Sequence, residues 1–566
     1  MSYDLSQSTP DGRARVEALR RLNQIKPEPT SLVAYLSRGE LLIIGPEDRG
    51  LDAAQRLAGQ LQCTVVVPAD AAAVSLTSNI DTGSMPEGQV MVRRSLSGLS
   101  GHLGNFQATV DTPQGECNLA ELIARRRKEF DLVLDLQTPP MIRHELTAPG
   151  YYAPGDDSHR LEQALDELPG MVGEFEKPTY YQYDPSICAH GRSGLTACTR
   201  CLDACPTGAI SSMGDGITVD SHLCQGAGSC ATACPSGAIR YRYPGLKDTL
   251  ERLRGALKSY RQSGGHRALL LFHDAEQGRA LVHRLAAFLP ENCIPIEVED
   301  IGSIGLDTWL SALVYGAAGL IVLSMPGRPN SVLSEIKVQL ELADALLSNM
   351  GYSNQALGLH KHRDDEHTLA AIAQAITPIC LERPAEYAGM KDKRTVIRFA
   401  LDHLHAQAPA PRPLTLLPAG APFGEVWLAA ERCTLCMACV SQCPSGALLA
   451  GSDKPQLRFI EQNCVQCGLC ARSCPEDAIG PSPRYLHDAE QRRAIRILKE
   501  EEPFYCIDCG KPFATKGVME RMTKMLRHHR MFQGEALRRI KMCEDCRVKS
   551  MFKDEQVIDV IGDKKS

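Results

Sequence analysis

Between Cys433 and Cys474 the sequence reads CTLCMACVSQCP and then CVQCGLCARSCP. This places Cys433, Cys436, Cys439 and Cys443 before Pro444, and Cys464, Cys467, Cys470 and Cys474 before Pro475. Thiolates at this spacing ligate iron–sulfur clusters: three cysteines of a run bind one 4Fe–4S cluster, and the fourth, before the proline, crosses to the other. The crossing puts Cys433, Cys436, Cys439 and Cys474 on one cluster and Cys464, Cys467, Cys470 and Cys443 on a second. Zinc sites are built from two CxxC or CxxH pairs, and disulfide frameworks belong mainly to small secreted domains. Neither matches these runs.

An earlier region repeats the plan with two departures. Cys188 is separated from Cys198 by nine residues, AHGRSGLTA, where two are usual; Cys201, Cys205 and Pro206 follow in register. The partner run, CQGAGSCATACP, keeps Cys224, Cys230, Cys234 and Pro235 but has Ala227 at the second ligand position. Crossing gives Cys188, Cys198, Cys201 and Cys234 a complete 4Fe–4S site, and leaves Cys205, Cys224 and Cys230 an incomplete one. Three thiolates stabilise a 3Fe–4S cluster, or a site-differentiated 4Fe–4S cluster whose last iron takes water, an external ligand or a side chain such as Ser229 or His222. The four runs end alike, in CPTGAI, CPSGAI, CPSGAL and CPEDAI, an internal repeat that predicts a tight turn and short strand each time. Both regions resemble bacterial dicluster ferredoxins over about sixty residues each.

Near the C-terminus, CIDCGKPF and CEDCR supply Cys506 and Cys509, then Cys543 and Cys546. Two separated CxxC pairs make a tetrahedral thiolate site, read as one structural zinc ion, with a rubredoxin-like iron as the alternative. The stretch between carries Arg521, Lys524, Arg527, His528, His529 and Arg530 and reads as a helix presenting a docking face for an acidic redox partner.

A chain of 566 residues predicts about four domains at ~150 residues each. A net charge of −6 and 5% aromatic content argue against nucleic-acid binding as the main role. Of 23 cysteines, fifteen fit clusters and four fit the C-terminal site, leaving Cys63, Cys117, Cys293 and Cys380. Such usage implies a reducing, cytoplasmic setting. The first residues, MSYDLSQSTPDG, hold no apolar signal core. The apolar run from Thr308 to Gly327 reads as a helix end, a glycine turn and a buried strand, not as a membrane span.

These elements are arranged as a multidomain α/β plus α+β protein, with two Rossmann-like α/β domains, two dicluster ferredoxin domains and a zinc-ribbon-like module. Residues 1–150 form an α/β domain: a helix over 13–23, a strand ending at Gly45, a helix over 51–61, a strand over 64–67, a helix over 119–128 whose Arg125 to Lys128 face solvent, and a strand over 131–136. Gly45 and Gly50 do not make a dinucleotide fingerprint. Residues 180–245 and 425–485 are the ferredoxin domains; 262–405 is a second α/β domain; 406–424 is a stiff Pro-rich linker; a charged helix lies around 488–500; and 500–552 is the zinc module.

The segment SGLSGHLGNFQATV resembles a glycine-phenylalanine turn found beside ferredoxin motifs in heterodisulfide reductase. Residues 262–400, with GAAGLIVLS, resemble the iron–sulfur subunit of F420-non-reducing hydrogenase, though FHDAEQG stands where that family carries cysteines. This implies a docking domain without its own 2Fe–2S cluster. The whole order, with CAHGRSGLTACTRCLDACPTGAI and CGKPFATKGVMERMTKML, resembles large proteobacterial 4Fe–4S proteins associated with formate dehydrogenase. What the resemblance implies is a multi-cluster electron-transfer protein, with a dehydrogenase such as formate dehydrogenase, or ferredoxin-like carriers, as partners. The alternatives are an accessory or maturation scaffold for a molybdenum or tungsten dehydrogenase, or an oxidoreductase subunit with an open-site cluster. No nucleophile–base motif is present, and His190 and His273 read as structural.

Overall fold

The computed structural model describes residues 5, 7–68, 80–81, 89–112, 115–362 and 376–552. Its first sheet has six strands in the order Tyr151–Tyr152, Leu132–Asp135, Glu40–Ile44, Gln62–Val67, Val90–Arg93, Ile80–Asp81, parallel except for the last. The central strands are apolar on both sides, as a parallel sheet covered on both faces requires. Leu41, Ile43, Val65, Leu132 and Leu134 pack on one face with Ala53, Ala54 and Leu165 of the helices Glu47–Arg56 and Ser158–Glu167. Leu42, Ile44, Val66 and Val133 alternate to the other face. That face meets Phe106, Ala108 and Val110 of an antiparallel meander, Leu96–His102, Asn105–Thr112 and Gly115–Asn118. The layering is thus helix, sheet, meander, and differs from the helices on both faces that a Rossmann-like unit has.

Two local expectations are corrected here. The helix expected over 119–128 stops at Leu122, with Ala124 in the left-handed region. Freed from a helix, Arg125 turns inward to Thr64 Oγ1 and Glu40 and lies over Phe130, while Arg127 joins Asp131 and the carbonyl of Gly104. These two arginines are staples of the domain, at 15% and 24% side-chain exposure, and not a solvated face. Gly45, at φ 153°, is explained by close packing, since a Cβ there would lie 2.8 Å from Leu136 Cβ.

The helix expected over 13–23 spans Pro10–Gln24 and packs far from the sheet that follows it in sequence, placing Ala14, Ala18 and Leu22 in the core of the middle domain. That domain has four parallel strands in the order Cys293–Val298, Leu269–Asp274, Gly319–Ser324, Leu357–Lys361. Trp309, fully buried on the helix Leu306–Val314, sits in its core with the helices Leu246–Gln262, Asn330–Asn349 and Lys393–Ala406. The run from Thr308 to Gly327 divides between that helix and the strand Gly319–Ser324, and no helix among the described residues is long and apolar enough to cross a membrane.

The Pro-rich segment is not a free spacer. Leu414–Leu416 adds a strand to Ile479–Leu486, which pairs in turn with Gly424–Leu428. Thr415 is buried, its hydroxyl between Asn349 Oδ1 at 2.9 Å and His487 Nε2 at 2.8 Å. The charged helix expected around 488–500 is instead a short helix, Ala489–Arg493, followed by a strand, Arg496–Glu500.

His487 makes this junction sensitive to pH. Burial, then the neighbouring His405 and Arg492, push its imidazole down to about 3. The unfolded chain, with an ordinary value near 6.5, therefore takes up a proton that the fold refuses. Stability from this group is complete above about pH 6.5 and is lost as pH falls toward 3, at about 1.4 kcal/mol per pH unit. His487→Gln is expected to show a smaller fall in Tm between pH 7 and 5 than the parent chain; equal falls would refute this role.

Candidate metal centres

The two cysteine regions share one local architecture. The first pairs Tyr181–Tyr183 with Ile239–Tyr241 and carries the hairpin Ile210–Met213, Gly216–Val219. The second pairs Gly424–Leu428 with Ile479–Leu486 and carries Leu448–Ala450 with Gln456–Phe459. After each fourth cysteine the third residue on is left-handed: Gly208, Gly237, Gly446 and, in place of glycine, Asp477. This turn sets the repeated short strand. It also aims a hydroxyl at the preceding sulfur in three repeats, Thr207 on Cys205 at 3.4 Å, Ser236 on Cys234 and Ser445 on Cys443, both at 3.7 Å. In the fourth repeat Glu476 takes that place and pairs instead with Arg521, while the Ala478 N–H donates to Cys474 Sγ.

The thiols gather in four groups. Cys188, Cys198, Cys201 and Cys234 interact electrostatically with one another, as do Cys205, Cys224 and Cys230. Cys433, Cys436, Cys439 and Cys474 line one cavity of the second region, and Cys443, Cys464, Cys467 and Cys470 line another. These are the sets expected from crossing. Burial, with mutual repulsion adding to it, pushes the thiols of Cys201, Cys439 and Cys467 up to about 12. Ligation there must release protons.

Residues 196–238 and 432–478 each match the family model of the 4Fe–4S dicluster domain. The chain therefore carries two dicluster ferredoxin domains, with cysteine motifs for four 4Fe–4S clusters. No curated protein matches the chain. The first match begins after Cys188, within the nine-residue insertion. In the structure the insertion is a tight hairpin, Gly191–Arg192 with Leu195–Thr196, turned at Ser193 and Gly194 by N–H bonds to Asp215. His190 is buried beneath it, bonded to the Cys198 carbonyl and to Ser212. His273 is likewise buried, its Nδ1 on the Asp274 carbonyl.

The inserted hairpin touches the second dicluster domain, since Arg472 donates to the Thr196 carbonyl. At the same boundary Cys467 lies close enough to Cys198 to interact electrostatically. Within the domains, Cys201 does so with Cys230 and Cys439 with Cys470. Each group thus neighbours the next, and the four form one succession. The Cys433 group stands at one end, beside the C-terminal module, where Thr515 Oγ1 donates to the Thr434 carbonyl. The three-cysteine group stands at the other, against the N-terminal domain. There Tyr35 and Lys177 donate to the His222 carbonyl, and His102 of the glycine-rich turn stacks on the His222 ring at 4.3 Å.

Ala227 has the backbone of a ligand position. It lies between left-handed Gly226 and Gly228, as Cys467 lies between Gln466 and Gly468 and Cys436 between Leu435 and Met437. It lines one cavity with Cys205, Cys224 and Cys230. The side chains considered as substitutes are engaged elsewhere, Ser229 donating to the Ala204 carbonyl at 2.6 Å and His222 stacked on His102.

Sequence reasoning missed a basic side chain at every group, each bonded to the carbonyl of one cysteine: Lys177 to Cys224, Lys393 to Cys234, Arg394 to Cys464 and Lys499 to Cys433. Lys499 is ion-paired with Glu501. Lys177 is half-buried with Asp220 near it, whereas Lys393 and Arg394 are buried on neutral carbonyls, a costly state for a cation unless negative charge lies nearby. An anionic cluster fits that need. Sulfur spacing separates these groups from a single-ion site: among the described residues only Cys506, Cys509, Cys543 and Cys546 bring their ligand atoms within 4.8 Å of one another. A tetrahedron of about 2.3 Å metal–sulfur bonds has edges of about 3.8 Å, and Cys509 and Cys543 are 3.6 Å apart. Desolvation opposes ionisation of Cys506, but N–H donors from Cys509, Cys543 and Asp508 outweigh it and bring the thiol down to about 6. The helix expected between the two pairs is Lys516–Leu526; Arg527, His528, His529 and Arg530 lie in the exposed turns beyond it.

A cavity of about 130 Å³ has no cysteine in its lining but borders the first dicluster domain, with Ala231, Thr232 and Lys393 lining it beside Arg240, Asp248 and Asp307.

Proposed function

We propose that this chain is a multi-cluster iron–sulfur electron-transfer protein that relays electrons between oxidoreductases, as a subunit or partner of a dehydrogenase such as formate dehydrogenase. The observation that carries this reading is the succession of four neighbouring cysteine groups, which crosses the domain boundary at Cys467 and Cys198 beside the Arg472–Thr196 hydrogen bond. In it, Cys433, Cys436, Cys439 and Cys474, Cys443, Cys464, Cys467 and Cys470, and Cys188, Cys198, Cys201 and Cys234 hold 4Fe–4S clusters. Cys205, Cys224 and Cys230 hold a three-iron or site-differentiated cluster, and Cys506, Cys509, Cys543 and Cys546 hold zinc. The clusters supply reversible one-electron storage. The protein fixes their order and sets the charge around each.

The terminal groups face different surroundings, one beside the C-terminal module with its exposed Lys524, Arg527 and Arg530, the other beside the N-terminal domain. Such asymmetry suits two different redox partners. Anaerobic affinity capture of the chain with mild cross-linking tests the assignment. A molybdenum or tungsten dehydrogenase in stoichiometric amount supports it, whereas capture of cofactor-insertion or sulfur-transfer proteins alone favours a maturation scaffold.

A further inference from the structure

Lys393 and Arg394 are consecutive residues at the start of the helix Lys393–Ala406, yet they serve different dicluster domains. Lys393 Nζ donates to the carbonyls of Ala231, Thr232 and Cys234, at 2.8, 2.6 and 3.1 Å. The Arg394 guanidinium donates to Pro235 and Pro422 through one Nη, at 3.1 and 2.8 Å, and to Gln462 and Cys464 through the other, at 3.2 and 2.8 Å. Both residues are buried, at 9% and 8% exposure. Asp392 caps the helix through the Thr395 N–H and so fixes where the two side chains start.

Among the described residues neither cation has an ion-pair partner. Every hydrogen-bond acceptor is a neutral carbonyl, the carboxylates Asp307 and Glu335 near Lys393 and Asp392 near Arg394 act only at longer range, and the face under Arg394 is the Phe423 ring at 4.8 Å. Neutral amide donors could fill the same carbonyls without the desolvation penalty of a charge, which runs to several kcal/mol per ion. The presence of cations therefore calls for negative charge close by. Cys234 and Cys464 belong to the two inner groups, those that meet at Cys198 and Cys467. Arg394 also bridges Pro235 of the first domain to Cys464 of the second within one planar fork.

We propose that Lys393 and Arg394 form a bridge between the two inner iron–sulfur sites, holding them in fixed register across the domain boundary and raising the reduction potential of both. The bridge rests on the relay reading of these cysteines. Lys393 and Arg394 are positioning residues: they bind no cluster atom and act through ligand backbone and charge.

The test is a redox titration of the full chain, loaded with iron and sulfide under anaerobic conditions and followed by electron paramagnetic resonance. Lys393→Gln and Arg394→Gln are expected to keep wild-type iron content. Each is expected to disfavour reduction of its own inner site by about tenfold, a downward shift of about 59 mV for one electron. Lys393→Arg and Arg394→Lys retain the charge and are expected to titrate at wild-type midpoints, and Arg394→Lys, with its fork reduced to a point, to show weaker magnetic coupling between the inner sites. Should the neutral variants fail to load, the charge-retaining pair decides: wild-type midpoints support the bridge, and a tenfold shift overturns it. Iron-loaded glutamine variants with unshifted midpoints also overturn it while leaving the relay intact. A parent chain that binds no iron at these cysteines overturns the relay itself.

Discussion

Replacing Ala227 with cysteine is expected to add about one iron per chain and to abolish the paramagnetic signal of an oxidised three-iron cluster. The backbone is already suited to a ligand there, because left-handed Gly226 and Gly228 flank Ala227 as left-handed residues flank Cys436 and Cys467. The side chain lines the cavity shared by Cys205, Cys224 and Cys230, so a sulfur added to its Cβ joins that group. The loop itself is held from behind: Gly302 packs so closely on the Ala227 carbonyl that a Cβ on Gly302 would lie 2.4 Å from it. This leaves little room for the loop to withdraw from the cavity. Metal analysis and electron paramagnetic resonance of parent and variant provide the check. A parent chain without the three-iron signal, whose iron content does not change in Ala227→Cys, would show that the site holds four irons already.

Loss of one thiolate from the C-terminal tetrad has an effect of a different kind, on folding. The buried cluster of this module consists of Cys506, Met542, Cys543 and Cys546, with Phe513 packed against it. A core made mostly of the ligands themselves contributes little hydrophobic stabilisation. On the zinc assignment proposed above, metal binding supplies the remainder, since structural zinc contributes about 10–16 kcal/mol in small domains. Cys543→Ser is therefore expected to release the bound metal and unfold residues 503–552 while the dicluster domains keep their iron. A strong chelator should do the same to the parent chain. Hydrogen exchange over Lys516–Leu526, together with zinc and iron analysis, reads the result. Protection of that helix in a metal-free variant would contradict the argument, and stoichiometric iron at the tetrad would replace zinc by a rubredoxin-like centre.

Much of the candidate site was legible because its chemistry is local. Spacing alone grouped the cysteines, and the CPTG, CPSG and CPED turns marked the four left-handed residues whose backbone the structure shares. The buried strand within Thr308–Gly327 was legible for a similar reason, as an apolar run beside a glycine turn, whereas the edge strand Leu357–Lys361 was not expected. What stayed hidden depends on partners distant in sequence. The pattern of Pro10–Gln24 reveals an apolar face but not that its partner is the helix Leu246–Gln262. Nothing within KDKRTV marks Lys393 and Arg394 for burial, which comes from the packing of the two dicluster domains around them. Arg125 and Arg127 were misread because a charge run is usually solvated, whereas a left-handed residue at Ala124 turns this one inward. The prolines of 406–424 masked a three-residue strand that needs Ile479–Leu486, some seventy residues later, to pair with.

That strand has a practical consequence for anyone cutting the molecule into pieces. The Pro-rich stretch looks like a natural expression boundary, but a break just after it strands Leu414–Leu416 on the wrong fragment and uncovers one edge of Ile479–Leu486. A C-terminal fragment that keeps its sheet complete must begin before Leu414, and even then it lacks Asn349, whose side chain holds the Thr415 hydroxyl from the other half. The two halves are laced together at the place where the sequence looks easiest to sever.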